Sequence, residues 1–183
     1  MIEYFDVLDE KGEKTGESVL SSDAHAQGLT HKAVHIWIIN SKGELLLQKR
    51  ASDKQAYPNL WDISVGGHVS AGETSLEGAR REMKEELGLD LGDENFKYLF
   101  SIEQHIILNN GTYVNNEFDD VYLVILDLDL SKLPIPSEEV SGVKWVHPDE
   151  IKLMLKNKDD SIIRDDSHEE EYRQLFEYLD LNK

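Results

Sequence analysis

The sequence contains no cysteine among its 183 residues, which excludes disulfide bonds, thiolate metal ligands and cysteine nucleophiles together. It is also poor in basic side chains, with 19 Lys and Arg against 37 Asp and Glu, so the formal net charge is −18. This charge disfavours nucleic acids and anionic membranes as main partners, because proteins bind both through basic surfaces. It is compatible with a small phosphorylated molecule, since a bound metal ion can supply positive charge locally.

Long apolar segments are missing as well. No run approaches the roughly 20 apolar residues that a membrane-spanning helix needs, and the N-terminal sequence lacks the basic and then apolar order of a signal peptide. These absences predict a cytoplasmic protein without a membrane segment. A hydrophobic content of 39% and a charged content of 31% are typical of a globular chain, and the length favours one domain spanning residues 1–183.

The order of periodic segments predicts an α/β fold in which a mixed sheet carries helices on both faces. Residues 1–32 are predicted to form an N-terminal hairpin extension, and its small, polar end at residues 21–30 is predicted to be a loop that carries His25. Further strands are predicted at residues 33–39, 44–48, 60–65, 96–108, 112–127 and 143–146. Helices are predicted at residues 148–155 and at the C-terminus, residues 167–183.

The stretch Gly67–Leu89 reads GHVSAGETSLEGARREMKEELGL and joins a glycine-rich loop to a helix. Thr74 and Glu77 have the spacing of a capping box, and Gly88 is placed to end the helix. Apolar residues recur at helical spacing beside three glutamates, Glu82, Glu85 and Glu86. Three carboxylates this close repel one another unless a cation lies among them. The stretch therefore predicts a site for Mg²⁺ or Mn²⁺, ions that prefer hard oxygen ligands.

The same stretch resembles the Nudix box, which is a glycine, five residues, a glutamate, seven residues and then R-E-U-x-E-E-x-G-U, where U is apolar. The seven fixed positions are filled by Gly67, Glu73, Arg81, Glu82, Glu85, Glu86 and Gly88. The resemblance implies a Nudix α/β/α sandwich that hydrolyses a phosphoanhydride bond in a nucleoside diphosphate linked to a variable group. It also implies metal ligands and an orienting pair: Glu82, Glu85, Glu86 and the carbonyl of Gly67 as ligands, with Arg81 and Glu73 as the pair.

The bound ions would neutralise the diphosphate and lower the pKa of an attacking water. In this family the general base is either a glutamate of the box, such as Glu85, or a carboxylate from a later loop. The candidate outside the box is Glu117, in the run NNEFDD.

A longer stretch, about residues 6–155, resembles the isopentenyl-diphosphate isomerase branch of the Nudix superfamily. The run THKAVHIWIINSKGELLLQKRASDKQAYPNLWDISVGGHVSAGE carries this resemblance most clearly. It implies a second metal site, because the metal ligands of that branch align with His25, His31, His68 and Glu117. The diphosphate-binding Arg and Lys of the branch align with Arg50 and Lys54, and its active-site tryptophan aligns with Trp145.

The chain departs from that branch at three positions. Asn115 stands where a second metal glutamate is expected, and Gly66 stands where the isomerases carry their catalytic cysteine. Glu82 stands where the isomerases carry a basic residue. The chain thus lacks the acid for protonation and retains the complete hydrolytic box, which implies an isomerase-like scaffold with hydrolase chemistry.

Plainer interpretations compete with several of these assignments. The three histidines could line a polar cleft without a second metal, because their spacing fits no standard zinc pattern. Likewise, Arg50 and Lys54 could be solvated charges, and Trp145 could belong to the core. Of the other histidines, His35 and His147 are interpreted as structural, whereas no sequence pattern assigns a role to His105 or His168.

Three hypotheses about the whole protein follow. The first is a Mg²⁺- or Mn²⁺-dependent hydrolase whose partner is a small diphosphate. The second is an isopentenyl-diphosphate isomerase, and the third is a non-catalytic nucleotide-binding module.

Overall fold

A computed structural model of the chain describes residues 2–54, 56–134 and 140–182. It begins with the predicted hairpin, in which strands β1 (Tyr4–Leu8) and β2 (Lys14–Leu20) pair antiparallel in a small sheet of their own. The next segment differs from the prediction. Residues predicted to be a loop form helix α1 (Ser21–Gln27), whose Ala24 is fully buried and which packs against β1 and a later strand, Tyr113–Ile125. Its short polar sequence is a weak helix former by itself, so tertiary packing stabilises this helix.

The main sheet is mixed and has seven strands in the described part of the chain. Its strands are β3 (His31–Ile39), β4 (Leu45–Arg50), β5 (Trp61–Asp62), β6 (Val65–His68), β7 (Lys97–Leu108), β8 (Tyr113–Ile125) and β9 (Val140–Val146). The central pair, β3 and β8, runs parallel and sets His31 beside Glu117. All other pairings are antiparallel, with β6 on the other side of β3 and β9 beside β4. The single strand predicted at residues 60–65 is divided between β5 and β6.

Helix α2 (Ser75–Leu87) covers one face of this sheet. The capping box is present: the Thr74 side chain accepts from the N–H of Glu77, and the Glu77 carboxylate accepts from the N–H of Thr74. Gly88 ends the helix with φ +69, a left-handed conformation that suits glycine. The predicted apolar stripe packs on the sheet, with Ala79, Met83 and Leu87 fully buried against β3, β4 and β6 residues.

Helices α3 (Pro148–Lys156) and α4 (Asp166–Leu181) cover the opposite face. Their apolar side chains, among them Ile151, Tyr172 and Leu175, join a second core cluster with residues of β3, β4 and β8. Helices therefore lie on both faces of a mixed sheet, as the sequence predicted. No helix in the described ranges has the length and apolar character needed to cross a bilayer.

Candidate active site

Strand β6 carries the start of the box into the centre of the molecule. Its antiparallel pairing with β3 sets Gly67 opposite Val34 and His68 opposite Ala33. A Cβ atom on Gly67 would lie 2.1 Å from the carboxyl carbon of Glu82. Any larger residue here would have to displace the Glu82 carboxylate, because the backbone and this carboxylate occupy neighbouring space.

Arg81 holds the box together through most of its guanidinium donors. Its Nε and Nη2 atoms donate to the Glu73 carboxylate at 3.1 and 3.0 Å, and Nη2 also donates to the carbonyl of His68 at 2.7 Å. Its Nη1 atom donates to Glu82 at 2.7 Å and to Glu85 at 3.3 Å. This planar fork fixes two carboxylates of the predicted metal site relative to β6, a task for which the single ammonium group of lysine is poorly shaped.

The three glutamates differ in exposure. Glu82 and Glu86 are buried, whereas the Glu85 side chain is 53% exposed. Burial raises the pKa of Glu82, against the effect of Arg81. Burial and the neighbouring charge of Glu82 raise the pKa of Glu86 to about 8, against the opposing charge of Lys54. Among the described residues, Oε2 of Glu86 is buried and has no hydrogen-bond partner. Crowded, buried carboxylates with an unused oxygen fit the oxygen-ligand chemistry of a divalent cation.

Two cationic residues, Arg50 and Lys54, line the same cleft as these glutamates. Arg50, at the end of β4, donates from Nη1 to Asp62 at 3.1 Å and from Nε to the carbonyl of Ala56 at 3.0 Å. Burial lowers the pKa of Lys54, whereas the charges of Glu86 and Glu82 act to raise it. Both predicted phosphate-binding residues therefore lie near the box carboxylates, and hydrogen bonds hold Arg50 in place.

The three predicted metal histidines converge in the structure. Their ligand atoms all lie within 4.8 Å of one another, although His25, His31 and His68 come from α1, β3 and β6. Burial, with the neighbouring His68 and His31, lowers the pKa of His25 to about 4, which keeps its imidazole neutral. The Nδ1 atom of His31 lies 2.9 Å from the carbonyl of Leu29, so its Nε2 atom points into the cluster. A backbone carbonyl on the second ring nitrogen is typical of metal-binding histidines.

Glu117 closes this histidine cluster. It lies inside β8, within the strand predicted at residues 112–127 and not in a later loop, and it is 5% exposed. Its Oε1 atom lies 3.2 Å from His31 Nε2 and 3.0 Å from His68 Nε2. Burial opposes ionisation, but the hydrogen bonds and charges of these two imidazoles hold the pKa of Glu117 well below its usual range.

Asn115, the departure from the isomerase pattern, lies beside Glu117 on the same strand. Its Nδ2 atom donates to Glu117 and to Gln104, and its buried Oδ1 atom has no hydrogen-bond partner in the described residues. Nδ1 of His25 is buried and without such a partner as well. These orphaned atoms fit a cation site made of three imidazoles, one carboxylate and a neutral amide oxygen.

Most of these groups share one cleft with a volume of about 850 Å³. Its lining includes Asn115 and most of the predicted site residues: Arg50, Lys54, Gly67, His68, Arg81, Glu82, Glu85, Glu86 and Glu117. His25 and His31 are buried behind this lining, next to His68. Trp145 does not belong to the described lining; its partly buried side chain packs against the core beneath α2. The substrate-binding assignment of Trp145 stays a prediction, and its packing agrees with the alternative that it belongs to the core.

The N-terminal end of α4 forms a cleft wall that sequence reasoning missed. His168 is 5% exposed, with Nδ1 2.9 Å from Asp165 and Nε2 3.7 Å from Asp62. Tyr57, whose φ of +50 is unusual for a bulky residue, donates its hydroxyl to Asp165 at 2.8 Å. Because Tyr57 and Asp62 are far from α4 in the chain, no local pattern signals their contacts with this helix.

His35 and Glu171 form a buried pair near the same wall. The Nδ1 atom of His35 lies 2.7 Å from Glu171, and Trp37 Nε1 donates to the other oxygen of that carboxylate at 2.7 Å. Burial disfavours a charged imidazole, but the charges of Glu171 and Asp119 outweigh it and raise the pKa of His35 to about 10. The interpretation of His35 as structural is consistent with this pair, which joins α4 to β3.

Comparison with known proteins agrees with this geometry. Residues 29–166 match the NUDIX domain family. The chain is 43% identical over 180 residues to Nudix hydrolase 3 of Arabidopsis thaliana; the match covers 97% of this chain but only 23% of that protein's length. It is 35% identical over 155 residues to Isopentenyl-diphosphate Delta-isomerase 2 of Photorhabdus laumondii, covering 84% of this chain and 83% of the relative.

A solved structure gives the same result for the fold. The crystal structure of a Deinococcus radiodurans protein superposes with a TM-score of 0.72 at 25% identity and covers 94% of this chain and 98% of that chain. The family match spans well over half of the sequence and contains the complete box. The chain therefore belongs to the Nudix family and is similar to the branch that includes proteins named isopentenyl-diphosphate isomerases.

Proposed function

We propose that this chain hydrolyses a phosphoanhydride bond in a nucleoside diphosphate-type or related small diphosphate, with Mg²⁺ or Mn²⁺ as cofactor. The observation that carries the proposal is that acidic and basic side chains line one cleft together. Glu82, Glu85 and Glu86 share it with Arg50 and Lys54, and Arg81 holds the first two of these glutamates. Carboxylates that need a cation and cationic groups that suit phosphate together match a metal-bound diphosphate.

The box residues supply the primary cation site. Glu82, Glu85, Glu86 and the carbonyl of Gly67 would hold the ion, which fits the unpartnered oxygen of Glu86. When bound, the ion neutralises the diphosphate and lowers the pKa of a coordinated water. Arg81 and Glu73 keep the ligands in place. In the net reaction one P–O–P bond breaks, water adds its hydroxyl to one phosphorus and the second phosphate leaves with the proton.

Two carboxylates are candidates for the general base. Glu85 lines the cleft and is exposed to solvent. Arg81 contacts one of its carboxylate oxygens at 3.3 Å. Glu117 is buried, and the histidines that hold it ionised make it a better ligand of a second cation, with His25, His31 and His68. We therefore place proton transfer on Glu85 and second-cation binding on Glu117.

The test is a substrate panel in which cleavage of the phosphoanhydride bond is measured by separating the phosphate-containing products, with Mg²⁺, Mn²⁺ or a chelator. The panel contains nucleoside di- and triphosphates, nucleotide sugars and prenyl diphosphates. At least one compound should be hydrolysed in a metal-dependent manner, and Glu86→Gln should lower that rate by more than about a hundredfold. Glu103→Gln, which changes an exposed glutamate on β7, is the matched control. Metal-independent hydrolysis, or an active Glu86→Gln enzyme, would contradict the proposal.

Isopentenyl-diphosphate isomerisation is the second candidate, favoured by the relatives with that name and by the histidine cluster. The structure gives one reason to rank it lower. The cysteine position of that branch is Gly66, and its surroundings, Ile63 and His35, contain no thiol. Proton NMR of isopentenyl diphosphate with the protein decides between the two, since formation of dimethylallyl diphosphate at catalytic rates would reverse the ranking.

A non-catalytic nucleotide-binding module is the third candidate. It requires no ordered carboxylate cluster, whereas this chain fixes Glu82 and Glu85 through Arg81. A nucleotide that stays bound and intact in the presence of Mg²⁺ would favour this candidate over the hydrolase.

A further inference from the structure

We propose that Phe5, in the N-terminal hairpin, is a positioning residue for the three-histidine cation site. The hairpin lies before the residues that match the family, which begin at residue 29. This role depends on the proposed second cation. The cation site would then need strand β1, which supplies none of the predicted ligands, as well as α1, β3 and β6, which supply the histidines.

The Phe5 ring and the three imidazoles form one compact group. Phe5 lies nearly parallel to His31 and to His68, with centroids 4.6 Å apart in both cases and interplanar angles of 14° and 27°. It meets His25 edge-on at 5.9 Å. The three imidazole centroids are themselves 5.0 to 5.4 Å apart. Phe5 therefore touches the face of two predicted ligands and the edge of the third.

The surroundings of Phe5 are unusual for a buried phenylalanine. The residue is 1% exposed, yet it belongs to neither hydrophobic cluster of the described residues. Its recorded ring partners are the three histidines. Phe5 therefore packs outside the two main clusters. Its contacts indicate that it holds the imidazole rings in their orientation.

Backbone and side-chain hydrogen bonds clamp β1 on both sides of Phe5. The N–H of Ala71 donates to the carbonyl of Tyr4 at 2.7 Å, and the N–H of Gly72 donates to Asp6 at 3.0 Å. The N–H of Leu8 donates to the carbonyl of Thr30 at 2.8 Å. The first two bonds tie β1 to the loop after His68, and the third ties it to the residue before His31. The ring is thus fixed relative to both histidines.

This arrangement has a physical consequence for cation binding. A ring lying on an imidazole face blocks rotation of that imidazole, which keeps its nitrogen aimed at the cluster, and it keeps water away from the donors. Ligand side chains hold a metal only when packing fixes them within about half an ångström. A smaller or more flexible residue at position 5 would leave His31 and His68 free to turn, so the free energy of cation binding would decrease.

The experiment measures cation binding directly, with Co²⁺ as the probe. Imidazole nitrogen is a stronger-field ligand than carboxylate oxygen, so Co²⁺ in the histidine cluster and Co²⁺ in the box should absorb at different visible wavelengths. His31→Ala identifies the histidine-dependent band. Phe5→Leu should weaken the binding that produces this band by about tenfold, the effect typical of a residue that orients metal ligands. Phe5→Tyr keeps the ring and should retain most of the affinity.

Phe96→Leu is the matched control. Phe96 is 8% exposed, belongs to the core under α2, and has Tyr122 as its ring partner. Thermal unfolding without metal should show a comparable loss of stability for both leucine variants, whereas only Phe5→Leu should lose Co²⁺ affinity. Equal Co²⁺ affinities in Phe5→Leu and the unmodified protein, or equal losses in both leucine variants, would overturn the inference.

The outcome is separable from that of the proposed function. Hydrolysis with Mg²⁺ in the unmodified protein tests the box alone. If hydrolysis occurs but no histidine-dependent Co²⁺ band forms, the inference fails and the proposed hydrolase stands. If the band forms and responds to Phe5→Leu but no diphosphate is cleaved, the hydrolase fails and the inference stands.

Discussion

The backbone at Gly67 and the carboxylate of Glu82 are in such close contact that a single methyl group between them would overlap the carboxylate. A Cβ atom at position 67 would lie 2.1 Å from the carboxyl carbon and 2.4 Å from each oxygen. The side chain of Glu82 is buried and held by Arg81, so it has little room to retreat.

Gly67→Ala should therefore displace Glu82 and lower metal-dependent hydrolysis by more than about a hundredfold. The measurement is the initial rate at saturating Mg²⁺, together with circular dichroism to verify folding. Gly142→Ala is the control, because a Cβ atom there meets nothing within 4 Å. Full activity of the Gly67→Ala protein would contradict the predicted displacement of Glu82.

Arg81→Lys tests whether the shape of the guanidinium matters as well as its charge. Lysine keeps the positive charge but cannot bond Glu73, Glu82 and the carbonyl of His68 together, so hydrolysis should fall by about a hundredfold. Arg80→Lys is the control on the preceding residue, whose exposed side chain bonds Asp93 and the carbonyl of Leu91. Comparable rates for both variants would mean that Arg81 acts only through its charge.

Tyr57→Phe removes a single hydroxyl that ties the loop after Arg50 to the start of α4. The loss of its 2.8 Å bond to Asp165 should loosen the loop that follows Arg50 and carries Lys54. KM should then rise about five- to tenfold, with little change in kcat. Tyr98→Phe removes a hydroxyl on the exposed side of β7 and should change neither constant. A change in kcat alone would indicate that Tyr57 takes part in the chemical step.

The His35–Glu171 pair predicts a pH dependence of stability. The pKa of His35 is about 10 in the folded chain and about 6.5 when unfolded. Because the folded value is higher, the pair stabilises fully below pH 6.5, and this contribution is lost as the pH rises towards 10. Glu171→Gln should lower the free energy of unfolding by about 3 kcal/mol at low pH, with the difference narrowing at higher pH.

Urea denaturation between about pH 6 and about pH 9.5 measures this difference. Glu169→Gln, an exposed acid on the same helix, removes the same charge without the buried contact and serves as the control. A difference between Glu171→Gln and the unmodified protein that stays constant across this range would contradict the assigned role of His35.

The box helix could be predicted because everything that defines it is local. Thr74 and Glu77 are three residues apart, the apolar stripe follows the helical period, and Gly88 ends the last turn. The histidine cluster depended on the resemblance to a family. Only the parallel register of β3 and β8 brings His31 to Glu117, and no short-range pattern encodes that register.

The remaining differences have the same origin. Helix α1 was predicted to be a loop because its seven polar and small residues form a stable helix only when Ala24 is packed against the sheet. His168 was given no role from the sequence, because its distant partner Asp62 reaches it only after α4 has docked. Such contacts are properties of the assembled fold.

The origin of the three histidines in α1, β3 and β6 gives a bound cation a mechanical role. An ion shared by His25, His31 and His68 would join a short helix, a central strand and the start of the box, which are otherwise linked only by packing and hydrogen bonds. It would act as a removable cross-link. Cation concentration would then set the melting temperature of the N-terminal part of the fold, because an ion that binds only the folded chain stabilises it in proportion to the logarithm of its concentration.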